Sequence, residues 1–526
     1  MQTEQAAKIV SKQSRFKKGR DLWRGNLQLI TLAADRVRSS LGPNGSYKMV
    51  TYNRGPEKIV KVTKDPVPVL EELAIQYPAL AVLSEAAKMQ REEIGDGVTS
   101  FIILASALLK KADELIAKKV HANIILDGYL EAAKRALKKI ETNSAALQRS
   151  DYEGLLETVD CGRGILTKNL RRDLIEAAQS ATKNGKLEKK NIRIIRKQGA
   201  ETSETQLIRG ITVKKAKLHR NMPNDIKQPR IAVTSGRIGL NRLEVKMRGE
   251  GPFHMKFDIQ NPEQLDSCQE AERQQKNIAL DRLGELKVNV LFSQQPIDTF
   301  AKCRLLDMGV LAFESVERED CALISEATHA NMVGSLVDVL NTDVGAAENL
   351  SVEKLSPDEI VTLEVPDFAT LMMRGSSTQA FDELELLIQK GLTLLKTATE
   401  NPYVVPSYGA TEMRIAQDIK NFALHFSGKQ QIAVEGFAEA LVEIPHCLAE
   451  NNGADPDDTV AQLRKLHGEG FSDYGITADG LCGPACHELS QVKSSVIKRA
   501  FEFVSLMLRV DEQITRKEIV KFHKKR

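Results

Sequence analysis

Three short stretches carry residue types that could handle a phosphate. The first is "EEIGDGVTS", residues 92–100, where Asp96 stands between Gly95 and Gly97 just ahead of a helical pattern beginning at Thr99. Glycines before a helix let backbone N–H groups approach an anion, and hydroxyls at Thr99 and Ser100 could add donors. A carboxylate in that place repels a phosphate unless a cation accompanies it. Asp96 therefore reads as a ligand of Mg²⁺ bridging to phosphates, since Mg²⁺ is bound through one or two carboxylates plus phosphate oxygens. Packing offers no evident reason for an aspartate between two glycines. The second stretch is "SSLGPNGSYKMV", residues 39–50, a turn with Gly42, Pro43 and Gly45; G-x-x-x-x-G-K-[ST] is absent, so it is not a Walker A loop. The third is "KVTKDPVPVL", residues 61–70, a β-branched run broken at Pro66 and Pro68, with Asp65 reading as a turn residue at the break.

The elements that must position these residues are legible as patterns. After Asp96, Phe101, Ile102, Leu104, Ala105, Leu108, Leu109, Ala112, Leu115 and Ile116 recur at helical spacing. Residues 20–140 are mostly helical patterns, and residues 410–526 are helical again. Between them lie short β-rich runs: "NIRIIRK" (191–197), "QLIRGITVKKA" (206–216), "RIAVTSGRIG" (230–239), "KVNVLFSQ" (287–294) and "GVLAFESV" (309–316). The last two alternate with helical stretches, as in an α/β unit. One is "NPEQLDSCQEAERQQKNIALDRLGEL", with Asn261 as N-cap and Pro262 at the first helical position; its first half is polar nearly all round. The reading is a discontinuous helical domain built from both ends of the chain, with an α/β domain inserted.

Composition narrows the function classes. The chain has 526 residues, enough for about two to four domains. With 74 basic and 71 acidic residues the net charge is +3, which argues against nucleic acid as main partner. The basic residues near both ends read as solvated termini. Seven cysteines are spread thinly, and "CGPACH" (482–487) alone cannot supply a closed zinc site. There is no signal-peptide pattern, and "FIILASALL" falls well short of the roughly 18–20 apolar residues of a membrane span, so a cytoplasmic protein is expected.

The motifs "LGPNG", "TKD", "GDGVTS", "VVPSYGATE" and "LRVDEQI", in that order, resemble those of group II chaperonins, the family of the archaeal thermosome and the eukaryotic TCP-1 ring complex. The resemblance runs from about residue 20 to about residue 515, and the C-terminal half looks most like a theta-type subunit. It implies a multidomain α+β and α/β architecture. A helical equatorial domain would be formed by 1–139 and 396–526, and a small intermediate domain by 140–208 and 358–395. An α/β apical domain, with a helical protrusion, would span 209–357. It further implies an ATP-binding chaperone subunit of a double-ring hetero-oligomer, with ATP or ADP and Mg²⁺ as cofactors and unfolded client proteins as partners.

Carried over residue by residue, the resemblance makes Asp96 the magnesium ligand. Leu41, Gly42 and Pro43 match the phosphate loop, while Gly97, Val98, Thr99 and Ser100 match the phosphate-contacting turn. Gly409 matches the last glycine of the ribose loop, Glu488 falls at a nucleoside contact, and Arg163 falls where a phosphate-sensing lysine usually stands. The departures are pointed. "NDGAT" reads "KDPVP", "GDGTT" reads "GDGVT", and the ribose-loop "GGG" reads "SYG", adding Tyr408. Lys390 falls where an aspartate normally positions the attacking water, leaving Asp65 as the only other catalytic candidate. Lys390 is then either a solvated helix residue or a cation facing the γ-phosphate; it cannot serve as that carboxylate. Two readings follow: a chaperonin subunit that binds ATP and hydrolyses it slowly, or a structural, nucleotide-insensitive ring subunit. A metal-dependent phosphotransferase would need a second substrate pocket. For client capture, the candidates are helices 262–285 and 296–308, with Ile278, Leu280 and Leu283 expected in the core.

Overall fold

The computed structural model describes residues 14–54, 57–74, 77–148, 151–160, 164–183, 185–199, 201–238, 262–355 and 358–516. They form two compact units: residues 1–175 with 377–526, and residues 176–376. The sequence pattern of similar ends and a different middle thus has a structural counterpart in a first unit made from both ends of the chain.

The first unit opens with β1 (Ser14–Lys18) and α1 (Gly19–Arg38). A hairpin of β2 (Lys48–Arg54) and β3 (Glu57–Thr63) leads into α2 (Pro66–Ala74), so the break at Asp65 is a strand-to-helix transition. Both prolines sit in the first turn of α2, where a missing N–H costs no intrahelical bond. Then follow α3 (Pro78–Glu93), α4 (Val98–Ala117), α5 (Ala122–Asn143) and α6 (Asp151–Asp160). Helix α4 is buried on every face from Phe101 to Leu109, the pattern of a segment enclosed by other helices rather than lying on a surface.

Among the described residues the second unit holds a two-stranded ribbon of Thr182–Lys183 with Lys186–Leu187 and three larger sheets. Strands β4 (Ile192–Gln198), β5 (Gln206–Arg209) and β6 (Ile211–Lys214) come first, the last two separated at Gly210. Next are β7 (Asp225–Lys227), β8 (Arg230–Thr234), α7 (Pro262–Glu285), β9 (Val290–Ser293), α8 (Thr299–Asp307), β10 (Leu311–Phe313), α9 (Arg318–Thr328) and β11 (Met332–Val333). β10, β9, β8 and β11 lie side by side and parallel, the α/β unit expected from alternation. Further strands β12 (Gly345–Ala346), β13 (Asn349–Leu355), β14 (Asp358–Glu364) and β15 (Ala369–Gly375) complete it. β7, β13, β14 and β6 form an antiparallel sheet, and β15 lies between β4 and β5. In α7, Leu280 and Leu283 are core as expected, whereas Ile278 is 56% exposed. Ile278 faces away because it lies two positions from Leu280, about 200° round the helix. Asn261 and the side chain of Leu265 fall outside the described residues.

The chain returns to the first unit as α10 (Thr378–Glu400), β16 (Tyr403–Pro406), α11 (Ala410–Ala423), α12 (Lys429–Asn451), α13 (Pro456–Gly468), β17 (His487–Leu489), α14 (Ser490–Arg509) and β18 (Glu512–Arg516). β18 pairs antiparallel with β1, so the two ends of the described chain are stitched together. α12 and α14 pack on α4, and Phe101, Leu104 and Leu108 share one core with Phe437, Leu441 and Phe503. None of the described helices is long and apolar enough to cross a membrane.

Candidate functional site

The turn before α4 explains its own glycines. Gly95 and Gly97 have φ of +90° and +81°, a region L side chains rarely adopt. A Cβ on Gly95 would lie 2.7 Å from the Lys390 carbonyl oxygen of α10, and one on Gly97 2.8 Å from Val496 of α14. Close approach of two helices therefore demands both glycines, which corrects the expectation that packing had no part here. The helix starts at Val98, one residue before the sequence reading, with Gly97 as N-cap. Asp96 is half-buried, and its Oδ1 accepts the Gly97 N–H at 2.7 Å. Burial pushes its carboxyl up, while that N–H, Lys390 and Lys493 pull in the other direction and do not fully offset it.

The phosphate-loop candidates meet this turn. Gly42 takes φ +82°, and a Cβ there would reach within 2.7 Å of Leu448. Lys64 donates to the carbonyl oxygens of Gly42 (2.9 Å) and Pro43 (3.2 Å), holding the loop from beneath. A cleft of about 630 Å³ is lined by Leu41, Gly42, Lys64, Asp65, Asp96 to Ser100, Glu383 and Lys390. An adjoining cleft of about 720 Å³ shares Leu41, Gly42, Asp96, Gly97 and Ser100 with it. Its further lining includes Pro43, Tyr408, Gly409, Glu488 and Lys493. Every site residue expected from the sequence thus borders one of two adjoining clefts, except Arg163, which lies outside the described residues.

Asp65 is more than a turn residue. It is 2% exposed and paired twice: Arg91 Nη1 lies 2.8 Å from Oδ2 and Lys390 Nζ 3.3 Å from Oδ1. Burial pushes its carboxyl up, but Lys390 and then Arg91 outweigh that and hold it below the usual range. Of the two alternatives for Lys390, the solvated residue is excluded: its side chain is 17% exposed and borders the cleft.

The other cleft has its own buried triad. Lys493, in the first turn of α14, lies 2.5 Å from Glu412 and 2.7 Å from Glu488. Burial lowers the Lys493 ammonium, but Glu412 and Glu488 outweigh it and the net shift is upward. Burial pushes Glu488 up to about 7, Lys493 opposing and Glu412 adding to the rise. Tyr408 has φ +52° and Gly409 φ +81°, where a Cβ would lie 2.8 Å from Pro445. Among the described residues no group of three His, Cys, Asp or Glu side chains is placed to hold a metal by itself. A metal at Asp96 would need further oxygen ligands from water or a bound anion.

The sequence reading missed Lys64, Gln90, Arg91, Glu412 and Lys493 as site residues. One signal was available: Lys493 stands on the apolar stripe of Val492, Val496 and Ile497, where a lysine calls for a buried acid.

The TCP-1/cpn60 chaperonin family matches residues 33–518. The chain belongs to that family. Thermosome subunit alpha of Archaeoglobus fulgidus is 34% identical over 96% of this chain and 93% of its own. Thermosome subunit beta of Methanothermobacter thermautotrophicus is 33% identical over 94% and 92%, and thermosome subunit alpha of Halobacterium salinarum 30% over 96% and 90%. As a chaperonin the chain mixes helix and sheet, and these relatives are named as thermosome subunits.

Proposed function

We propose that this chaperonin chain is one subunit of a hetero-oligomeric double ring in the cytoplasm, that it binds ATP or ADP with Mg²⁺, and that it hydrolyses ATP slowly. The full ring would bind and fold non-native client proteins. In this reading residues 1–139 and 396–526 act as the equatorial domain, 140–208 and 358–395 as the intermediate domain, and 209–357 as the apical domain.

The site chemistry supports nucleotide binding. The first-turn N–H groups of Val98, Thr99 and Ser100 have no intrahelical acceptor and, with two hydroxyls, suit phosphate oxygens. Mg²⁺, when bound, supplies the positive charge that lets Asp96 share the site with a polyphosphate. Gly42 leaves backbone room beside it, and Tyr408, Gly409 and Glu488 border the space for a nucleoside.

Slow turnover rests on one observation: Lys390 occupies the cleft wall and holds Asp65, the other catalytic candidate expected from the sequence, in an ion pair. A carboxylate tied to Arg91 and Lys390 has little basicity left for an attacking water. The second helix start is also weakened. Pro66 and Pro68 have no N–H, and the Asp65 N–H donates to Thr63 Oγ1 at 3.1 Å, which leaves Val67 alone in that turn for an anion. This favours the alternative, a nucleotide-insensitive subunit, only if the α4 side of the cleft also fails to bind. Nucleotide occupancy of the purified assembly, assigned to this subunit by photo-crosslinking, tests the choice; an empty site at millimolar Mg-ATP would reverse it.

A further inference from the structure

Gln90, in the last turn of α3, is fully buried and does not line either cleft. A buried amide must satisfy both its donor and its acceptor ends. Its Nε2 donates to the backbone carbonyl of Asp96 at 2.8 Å, and its Oε1 accepts from Ser495 Oγ of α14 at 2.6 Å. Ser495 Oγ in turn accepts from Arg499 Nε at 3.2 Å, and Arg499 pairs with Glu93 back on α3. The same stretch of α14 presents Val492 and Val496 to Gly97, and Lys493 to Glu412 and Glu488.

We propose that Gln90 is a positioning residue for nucleotide-bound metal, fixing the Asp96 carboxylate by tying the Asp96 peptide to α14 through Ser495. The proposal rests on the nucleotide-binding reading above. Asp96 is pinned at two points: its side chain by the Gly97 N–H and its own carbonyl by Gln90. Glycines flank it on both sides, so the turn has little stiffness of its own. Without Gln90 the peptide can rotate and carry the carboxylate away from the mouth of the cleft. Helix α14 then serves as one reference for both halves of the site, because it also carries the lysine that holds Glu488.

The variants are Gln90→Leu, which removes both bonds, Gln90→Glu, which keeps the acceptor for Ser495 and sets a carboxylate against the Asp96 carbonyl, and Ser495→Ala. Binding of a fluorescent ADP is measured in the full chain, once with Mg²⁺ and once with excess EDTA. Partners of a metal ligand typically alter metal affinity about 10–100-fold when lost. Both Gln90 variants should weaken Mg-ADP at least about ten-fold while changing metal-free ADP less than about two-fold. Ser495→Ala should give a smaller loss of the same kind, and adding it to Gln90→Leu should cost nothing more. Equal losses with and without metal, or additive losses, would overturn the proposal. Hydrogen exchange of the segment 92–101 gives a ligand-free reading: both Gln90 variants should speed exchange at Gly97 about ten-fold or more, with α3 still protected. Unchanged exchange would overturn the proposal by itself. A parent that binds ADP under neither condition would overturn the nucleotide reading instead, and a Gln90 variant that fails to fold leaves Ser495→Ala to decide.

Discussion

Replacing Lys390 by methionine removes one of the two cations that hold buried Asp65. At 3.3 Å and an effective dielectric constant of about 20, the Lys390–Asp65 attraction is about 5 kcal/mol before desolvation. Burial of the ammonium cancels a large part of that, and Arg91 remains at 2.8 Å, so the net loss should be about 2 kcal/mol. The protein has a single tryptophan, Trp23 in α1, whose Nε1 donates to Asp113 at 2.8 Å. Its fluorescence during urea unfolding therefore reports the first unit alone. The folded Asp65 carboxyl titrates below its unfolded value, so its stabilising contribution is full above the unfolded pKa, near 4, and is lost as pH falls through the folded value. Parent and Lys390→Met should thus differ at pH 7, and the gap should narrow only as pH falls from about 4 through the lower folded value. Equal urea midpoints at pH 7, or a gap that narrows above about pH 5, would refute the ion-pair argument.

Further outcomes follow from the same geometry. Asp96→Ala should weaken Mg-ADP at least about ten-fold by titration calorimetry while Trp23 unfolding moves by less than about 1 kcal/mol, since Asp96 is only half-buried. Lys493→Met leaves Glu412 and Glu488 buried without their cation and should cost about 3–5 kcal/mol, much of it recovered by adding Glu488→Gln. Because the folded Glu488 carboxyl is raised to about 7, its contribution to stability is present below the unfolded pKa and lost as pH rises through about 7. Glu488→Gln should flatten that decline in a urea series from pH 4 to pH 8. Gly97→Ala must adopt φ near +81° against Val492 and Val496, and should destabilise by about 2 kcal/mol or more, seen as a lower melting temperature.

The order of motifs made the site legible, because a loop that meets phosphate must carry glycine and short hydroxyl residues in local sequence. Gly42, Gly97, Ser100 and Gly409 are such positions, and all border the two clefts. Helical periodicity likewise marked α4 and the two-ended first unit. What stayed hidden depends on partners far along the chain. Arg91 and Lys390 meet at Asp65 from positions 26 and 325 residues away. Nothing in "KVTKDP" announces either, so Asp65 read as a turn. The hairpin of β13 and β14 escaped for a different reason: "NLSVEKLSPDEIVTLE" mixes charged and apolar residues because one face is exposed, and its pairing with β6 and β7 joins segments over a hundred residues apart. Ile278 misled because its apolar type suggested the core while its angular position on α7 points outward.

In the proposed function this chain holds ATP and cleaves it slowly, with Lys390 and the tied Asp65 as the cause. Single-turnover hydrolysis of ATP pre-bound to this subunit in the assembled particle tests it most directly, with Lys390→Asp alongside. The parent should keep its nucleotide as triphosphate long after neighbouring subunits have released phosphate, and Lys390→Asp should shorten that time. Release of phosphate by the parent as fast as by its neighbours would contradict it.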